Sequence, residues 1–177
     1  MAGFLTEIGE AFVGSGAEAA HLNTVLGAKG GPVEPAWVTA LATPRSGHAA
    51  FVAILQPGIP AKPLTLFVNK AELSGPEHAR LTWGPAQAGV AAGVMDAVAD
   101  GVVDRDRVDD ALIIAAVWVN PEARDEWLVF DNNRQATAAA LRAGRDRTPS
   151  VDEALAARDR PLNAYFLPDW DGPDRGG

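Results

Sequence analysis

The chain has 177 residues, a formal net charge of −8 and no cysteine. This length fits one domain with a sizeable core, and the lack of cysteine excludes disulfides, thiolate catalysis and cysteine-ligated metal sites. Because the sequence has no Lys/Arg-rich run, nucleic acid and anionic membranes are poor partners. We recognise neither a secretory signal nor an apolar stretch of bilayer length, so we expect a cytoplasmic protein.

The first half of the chain is predicted to form strands around one short helix. Extended segments are predicted at 4–13, 19–26, 49–56 and 64–73. The glycines of 14–16 suit a hairpin turn between the first two. Pro35 suits the first turn of a helix that runs towards Leu41. Three prolines within 57–63 predict a stiff loop without regular pairing.

The second half is predicted to be mainly helical around one central strand. Apolar residues at helical spacing predict a helix from Pro85 to Gly101. The aliphatic run 111–119 is typical of a strand covered on both faces. Next comes a predicted helix at 136–143. A capping box at Ser150 then opens a short helix. The segment order predicts one α+β domain, residues 1–167, as a two-layer sandwich with helices packed on one face of the sheet, and a loose tail at 168–177.

Three features are compatible with a ligand site but have simpler interpretations. The segment 14–19 superficially fits a dinucleotide fingerprint, although a hairpin turn explains its glycines better. The histidines His21, His48 and His78 lack the i, i+4 spacing of a helical metal pair, so no metal site is predicted. Four tryptophans can line a ring-binding pocket, although large aromatic residues more often anchor a core or an interface: Trp37, Trp83, Trp118 and Trp127.

Two predicted strands carry polar pairs whose spacing places both side chains on one face. His21 and Asn23 form one pair in an otherwise aliphatic strand. Lys70 and Glu72 form the other, and their opposite charges can pair at that spacing. Spacing alone favours a structural role for His21 over a catalytic one, because titrating groups also occur in structural networks.

Short motifs along the chain resemble formaldehyde-activating enzyme. The first group is 9–14 (GEAFVG), Ala20-His21, Gly31-Pro32 and 40–43 (ALAT). The second group is Lys62-Pro63, Asn69-Lys70, 83–87 (WGPAQ), 108–110 (VDD) and 149–153 (PSVDE). Because the matches keep one order from about Gly9 to Leu155, the resemblance covers nearly the whole chain.

The resemblance implies a fold, an assembly and a reaction. The fold would be a sheet backed by helices, like the second domain of ribosomal protein S5. Five subunits would form a ring with sites between neighbours. The reaction would condense formaldehyde with tetrahydromethanopterin, giving the methylene derivative and water, in the one-carbon metabolism of methylotrophs and archaea. Tetrahydromethanopterin would be a co-substrate, and neither a metal nor a permanently bound cofactor is implied.

The resemblance also implies site residues. His21 matches the family's general acid, and the positions that match substrate contacts are Asn23, Val52, Lys70, Glu72 and Gln87. Asn23 stands where the family has aspartate, Val52 where it has leucine and Glu72 where it has threonine. Further departures are Asn120, where the family has histidine, and the segment 131–137. We expect Glu72 to bridge Lys70, and the hypothesis requires His21, Lys70 and Gln87 to face one cleft between subunits.

Histidine suits the implied chemistry, because the hydroxyl of a carbinolamine leaves poorly until it is protonated and imidazole is partly charged near neutral pH. Closure of the second amine on the iminium then depends on positioning in a water-poor cleft. The departures leave two alternatives open. One is a non-catalytic paralogue that binds or senses formaldehyde, a pterin or another small amine. The other is a ring whose apolar segments are retained for assembly alone.

Overall fold

A five-stranded mixed sheet forms the centre of the computed structural model, which describes residues 6–163 and 166–170. The strands lie in the order β1, β2, β7, β6, β3; β6 and β7 are parallel and the other neighbours antiparallel. Their bounds are Glu7–Val13 (β1), Ala20–Ala28 (β2), Ala50–Val52 (β3), Leu64–Asn69 (β6) and Ala111–Trp118 (β7). A two-stranded antiparallel sheet is formed by β4 (Ile54–Gln56) and β5 (Ile59–Pro60).

Five α-helices occur in the described part of the chain. They are α1 (Val33–Ala42), α2 (Gly75–Leu81), α3 (Gln87–Ala99), α4 (Glu126–Asp146) and α5 (Val151–Ala157). None of these helices combines the length and apolarity that a bilayer span requires. The sheet and its helices confirm the mixed α and β composition that the sequence predicts.

The predicted hairpin at the start of the chain is confirmed. Every residue of β1 pairs antiparallel with β2. Gly14 in the connection has a positive φ of 86°, and Gly16–Glu18 make one turn of 3-10 helix. The segment 14–19 is therefore a strand connection rather than the start of a nucleotide-binding helix. The predicted beginning of the first strand at Phe4 lies outside the described residues.

One face of the sheet, here called the closed face, is covered by α3 and α4 and carries the larger hydrophobic cluster. Leu22 of β2, Phe67 of β6 and Ile113 of β7 are fully buried in this cluster. The two helices approach each other closely at two glycines of α3. A Cβ atom on Gly93 would lie 2.3 Å from the carbonyl oxygen of Arg134, and one on Gly89 would lie 2.3 Å from that of Phe130.

The opposite face, here called the open face, is partly covered by α1, so the prediction that the helices pack on one face is wrong for this helix. Val33 and Trp37 pack against Leu66 and Leu112 in a second cluster. The Trp37 Nε1 donates a hydrogen bond to the carbonyl oxygen of Ile113 at 3.1 Å. The physical reason is strand alternation. Successive side chains of β6 and β7 point to opposite faces and nearly all are apolar, so both faces must be covered.

The strands near the other edge are shorter than predicted. The segment 49–56 is broken at Ala53 into β3 and β4, with Ala53 fully buried. The proline-rich loop is not free of pairing, because β5 inside it pairs with β4. The predicted strand 64–73 ends at Asn69.

The second half of the chain contains more helix than predicted, although α3 itself lies within its predicted bounds. The helix predicted from Pro85 is preceded by α2, which the sequence analysis missed, and by a π-helical turn, Thr82–Ala86, that contains Pro85. The helix predicted at 136–143 is the 21-residue α4. Its polar stretch before residue 136 obscures the helical period, although the Asp125 side chain caps the helix by accepting from the backbone N of Trp127 at 2.9 Å.

The predicted capping box at the start of α5 is confirmed. The Ser150 Oγ accepts from the backbone N of Glu153 at 3.2 Å, and the Glu153 carboxylate accepts from the backbone N of Ser150 at 2.7 Å. Residues 171–177 of the predicted tail lie outside the described part of the chain. The division into a domain at 1–167 and a tail at 168–177 stays a prediction.

Candidate active site

A row of side chains crosses the open face at one end of the sheet. Phe12 of β1 pairs with His21 of β2, and His21 pairs with Trp118 of β7. Lys70 extends the row past the end of β6, because its backbone N donates to the carbonyl oxygen of Val117 at 2.7 Å. Paired residues on neighbouring strands have Cβ atoms about 5 Å apart. The fold thus brings His21 and Lys70 to the same end of the same face, with β7 between them.

His21 has a carboxylate partner that the sequence analysis did not select. The His21 Nε2 lies 3.0 Å from Glu10 Oε1, and both side chains are about half exposed. On its other side, the imidazole centroid lies 5.9 Å from that of the Phe12 ring. Glu10 and Phe12 are two residues apart on β1, so they share one face. The β1–β2 register, once assigned, would have revealed this pair.

Asn23 lies on the open face beside His21, as strand alternation predicts, since Leu22 and Thr24 are buried on the other side. Its antiparallel partner on β1 is Glu10. A carboxylate is therefore present at this end of the sheet even though position 23 is an amide. It reaches His21 from the neighbouring strand instead of from the same strand.

Lys70 also lines a cleft of about 670 Å³ between α1 and the strand pair β3–β6. Ala36 and Ala40 of α1 form part of one wall, and Ala50 and Val68 form part of the floor. Val52 lies further along β3 and packs with the open-face cluster. Cavities of this size are typical of small-molecule sites, which combine apolar walls with a few polar groups.

The loop between α1 and β3 is fastened to the end of β6 at the mouth of this cleft. The Asn69 Nδ2 donates to the carbonyl oxygens of Gly47 and Ala71, each at 2.9 Å. The His48 Nδ1 lies 3.1 Å from the carbonyl oxygen of Asn69, and because a carbonyl only accepts, this nitrogen carries the proton. Arg45 and His48 close the loop by exchanging two backbone hydrogen bonds.

Glu72 does not bridge Lys70, which corrects the expectation from strand spacing. Since β6 ends at Asn69, period-two alternation no longer places Glu72 on the face that Lys70 shares with Val68. The Glu72 side chain lies against the α1–β3 loop, where its Cγ would be 2.6 Å from a Cβ added to Gly47. Among the described residues, no ion pair includes Lys70 or Glu72.

Gln87 lies apart from the row within one protomer. It is the first residue of α3, on the closed face, and is only 6% exposed. Its Oε1 accepts a hydrogen bond from the backbone N of Ile54, at the start of β4. One chain by itself therefore places Gln87 and His21 on opposite sides of the sheet.

The other candidates have structural explanations or lie outside the row. His78 is buried, with its Nδ1 accepting from the backbone N of Ser74 and its Nε2 2.9 Å from the carbonyl oxygen of Val119. Trp37 is a core anchor, whereas Trp83 and Trp127 are exposed. Within residues 6–163 and 166–170, no three His, Asp or Glu side chains are gathered where they could hold a metal ion.

Comparison with known proteins places the chain in a family. The family model described as formaldehyde-activating enzyme (Fae) matches residues 8–166. A 5,6,7,8-tetrahydromethanopterin hydro-lyase of Methanosarcina barkeri is 45% identical over 152 residues, which cover 86% of this chain and 85% of the relative. Proteins named bifunctional enzyme Fae/Hps, from Methanosphaera stadtmanae and Methanosarcina mazei, are 38% and 35% identical. The alignments cover 87% and 90% of this chain but only 38% and 41% of those relatives.

A chain this similar to a hydro-lyase over most of its length is an enzyme of the lyase class. The chain belongs to the formaldehyde-activating enzyme family, over nearly its whole length. The resemblance seen in the sequence motifs is thereby confirmed.

Proposed function

We propose that the chain condenses formaldehyde with tetrahydromethanopterin, or with a related reduced pterin, to the 5,10-methylene derivative and water. The observation that carries this proposal is the exposed His21 in one row with Lys70, in a chain 45% identical to a tetrahydromethanopterin hydro-lyase. The cleft beside Lys70 offers apolar walls against which a planar ring system can lie. Asn23, Val52, Lys70, Glu72 and Gln87 are proposed as substrate contacts.

In the proposed mechanism, His21 first donates a proton to the substrate and later accepts one from it. An amine of the pterin adds to the carbonyl carbon of formaldehyde, and the resulting carbinolamine carries a hydroxyl group. The His21 imidazolium donates a proton to this hydroxyl and the C–O bond breaks. Water departs, and the carbon and nitrogen that remain form an iminium ion. The second amine attacks the iminium carbon, forms the second C–N bond and returns its proton to the imidazole. Glu10 holds the ring in position by accepting from Nε2.

The separation of Gln87 from His21 supports a site shared between subunits of the proposed homopentamer. His21 lies near the β1 edge of the sheet, whereas Gln87 lies close to β4, beyond the β3 edge. Both edges expose apolar side chains: Ile8 and Phe12 on β1, and Ile54, Leu55 and Ile59 around β4–β5. Joining unlike edges in a closed ring would bring the β4 side of one copy to the β1 side of the next.

Two variants, assayed alone and together, test the reaction and the shared site. His21→Ala alone should lower the rate of methylene formation about 10²- to 10⁴-fold, because the proton donor is lost. Gln87→Met alone should weaken pterin binding, because the amide hydrogen bonds are lost. When the two variants are coexpressed in equal amounts, about one quarter of the sites in a random ring should have both sides intact and recover activity.

The controls for this experiment are the wild type carried through coexpression and analytical ultracentrifugation of each variant. A His21→Ala protein as fast as the wild type would remove His21 from the mechanism. Mixed variants with no recovery, although native mass spectrometry shows rings that contain both variants, would place the whole site within one protomer.

A non-catalytic paralogue is the second candidate function, favoured by the amide at position 23 and the carboxylate at position 72. Such a protein would bind or sense formaldehyde, a pterin or another small amine without turnover. Titration with tetrahydromethanopterin, followed by measurement of methylene formation above the uncatalysed rate, separates the two candidates. Binding with no acceleration would support the paralogue. The cytoplasmic location and the S5-like description of the fold also stay predictions.

A further inference from the structure

The open-face cleft has a charge that differs from that of the whole chain. The chain carries a net charge of −8, yet the polar end of the cleft is lined by Arg45, His48 and Lys70. None of the described residues that line the cleft is acidic. Arg45 and Lys70 are exposed and His48 is half-buried, so all three side chains are accessible to a ligand of opposite charge at this end of the cleft.

The two permanent cations of this end lack protein partners among the described residues. None of the ion pairs formed by the described residues includes Arg45 or Lys70. An arginine without a carboxylate partner keeps its planar set of donors available for a carboxylate or a phosphate, which it can bind through two parallel hydrogen bonds.

The backbone around these cations is fixed before any ligand binds. The Asn69 side chain holds the loop at Gly47, and the paired backbones of Arg45 and His48 close it. The His48 Nδ1 donates to the carbonyl oxygen of Asn69, so the N–H that can donate to an anion is the one that Nε2 carries in the imidazolium form. A site whose backbone is already ordered loses less conformational entropy on binding.

We propose that Arg45, His48 and Lys70 form a subsite for an anionic group, a carboxylate or a phosphate ester. This inference deepens the proposed function: the anion belongs to a part of the reduced pterin distant from its reacting amines. Lys70 connects the two regions, because it lines the cleft and also ends the row that contains His21. Arg45 and His48 thereby determine specificity for substrates with an anionic tail.

Glu72 opposes this subsite. Its Oε1 would lie 3.3 Å from a Cβ added to Gly47, so its carboxylate borders the same loop without pairing with Arg45 or Lys70. The negative charge weakens the attraction of the three groups for an anion. Glu72→Gln is therefore expected to tighten anion binding, in the direction opposite to a change at Arg45.

The test uses inorganic phosphate as the probe on the full chain, at constant ionic strength, with calorimetric titration. Arg45→Gln should weaken phosphate binding about tenfold to a hundredfold, because a charge-assisted hydrogen bond is lost. Arg105→Gln is the matched control: it removes the same charge from an exposed position outside the cleft, and it should leave phosphate binding unchanged. Phosphate binding that is absent from the wild type, or equally strong in Arg45→Gln, would overturn the subsite.

A kinetic measurement identifies the source of the anion. With tetrahydromethanopterin, Arg45→Gln should raise KM at unchanged kcat, whereas with a tetrahydropterin that lacks an anionic tail it should change neither. If KM is unchanged for both substrates while phosphate binding still depends on Arg45, the subsite takes a free anion. If no pterin is turned over but the phosphate result holds, the proposed function fails and the subsite stands.

Discussion

The two faces of the sheet are built from the same strands, but they differ in how completely they are covered. On the closed face, α3 and α4 bury the strand side chains, and their glycines leave almost no space between the helices. On the open face, the single short helix α1 covers one part and leaves a cleft and an exposed row of side chains. The closed face therefore holds most of the buried apolar side chains of this domain, and the open face can carry polar groups.

A change at the helix contact of the closed face should have the largest effect on stability. Gly93→Ala should lower the free energy of unfolding by about 3 kcal/mol, because the added methyl group meets backbone atoms of α4 that cannot move independently. Denaturant unfolding measures this loss. Gly84→Ala is the matched control, since no atom lies within 4 Å of its added Cβ. Equal effects at both positions would mean that the helices are not packed as tightly as described.

A change at α1 should have a smaller effect and should act on the open face. Trp37→Phe removes the hydrogen bond to the carbonyl oxygen of Ile113, which should cost about 1 to 2 kcal/mol in the free energy of unfolding. Trp127→Phe, at an exposed position, should cost little. Thermal unfolding and the KM of the pterin should both respond to Trp37→Phe, because α1 forms a wall of the cleft. A loss of stability without any change in KM would separate α1 from the site.

The smallest effect is expected at the ion pair that joins α3 to α4. Two hydrogen bonds from the Arg134 guanidinium, 2.6 and 2.8 Å long, hold the pKa of Asp96 below its usual value. A lowered pKa means that the carboxylate stabilises the fold above about pH 3.9, the ordinary value, and that this contribution is lost as the pH falls through the folded pKa. Because both side chains are more than a third exposed, Asp96→Asn should cost less than about 1 kcal/mol at pH 7.

Unfolding measured from pH 7 down to pH 2 checks this sign. The difference between the wild type and Asp96→Asn should be full at pH 7 and should vanish in acid. Asp100→Asn, which removes a more exposed pair with Arg142, is the control and should show a smaller difference. A difference that grows as the pH falls would contradict the assigned pair.

The sequence predicted features that depend on neighbours along the chain. The β1–β2 hairpin, the central strand β7, the helix α1 and the capping box of α5 follow from turn glycines, apolar runs and caps, which are local signals. Strand alternation also placed His21 and Asn23 on one face. The short motifs along the chain were sufficient to identify the family. The length of α4 was missed because one of its buried positions is a polar residue, Asn133. Its side chain is buried and donates to the carbonyl oxygen of Val129 within the helix, which the apolar pattern of the sequence does not reveal.

The groups that meet in the site are set by contacts between distant parts of the chain. Glu10 reaches His21 through strand pairing, Lys70 enters the row because β6 runs parallel to β7, and Gln87 lies on the opposite side because α3 covers the other face. Local sequence specifies the direction of a side chain relative to its own strand, whereas register, strand order and helix placement arise from the burial of apolar surface across the whole chain. Local sequence patterns therefore predicted most of the elements and the family, whereas α2, the full length of α4 and the composition of the site depend on packing across the chain.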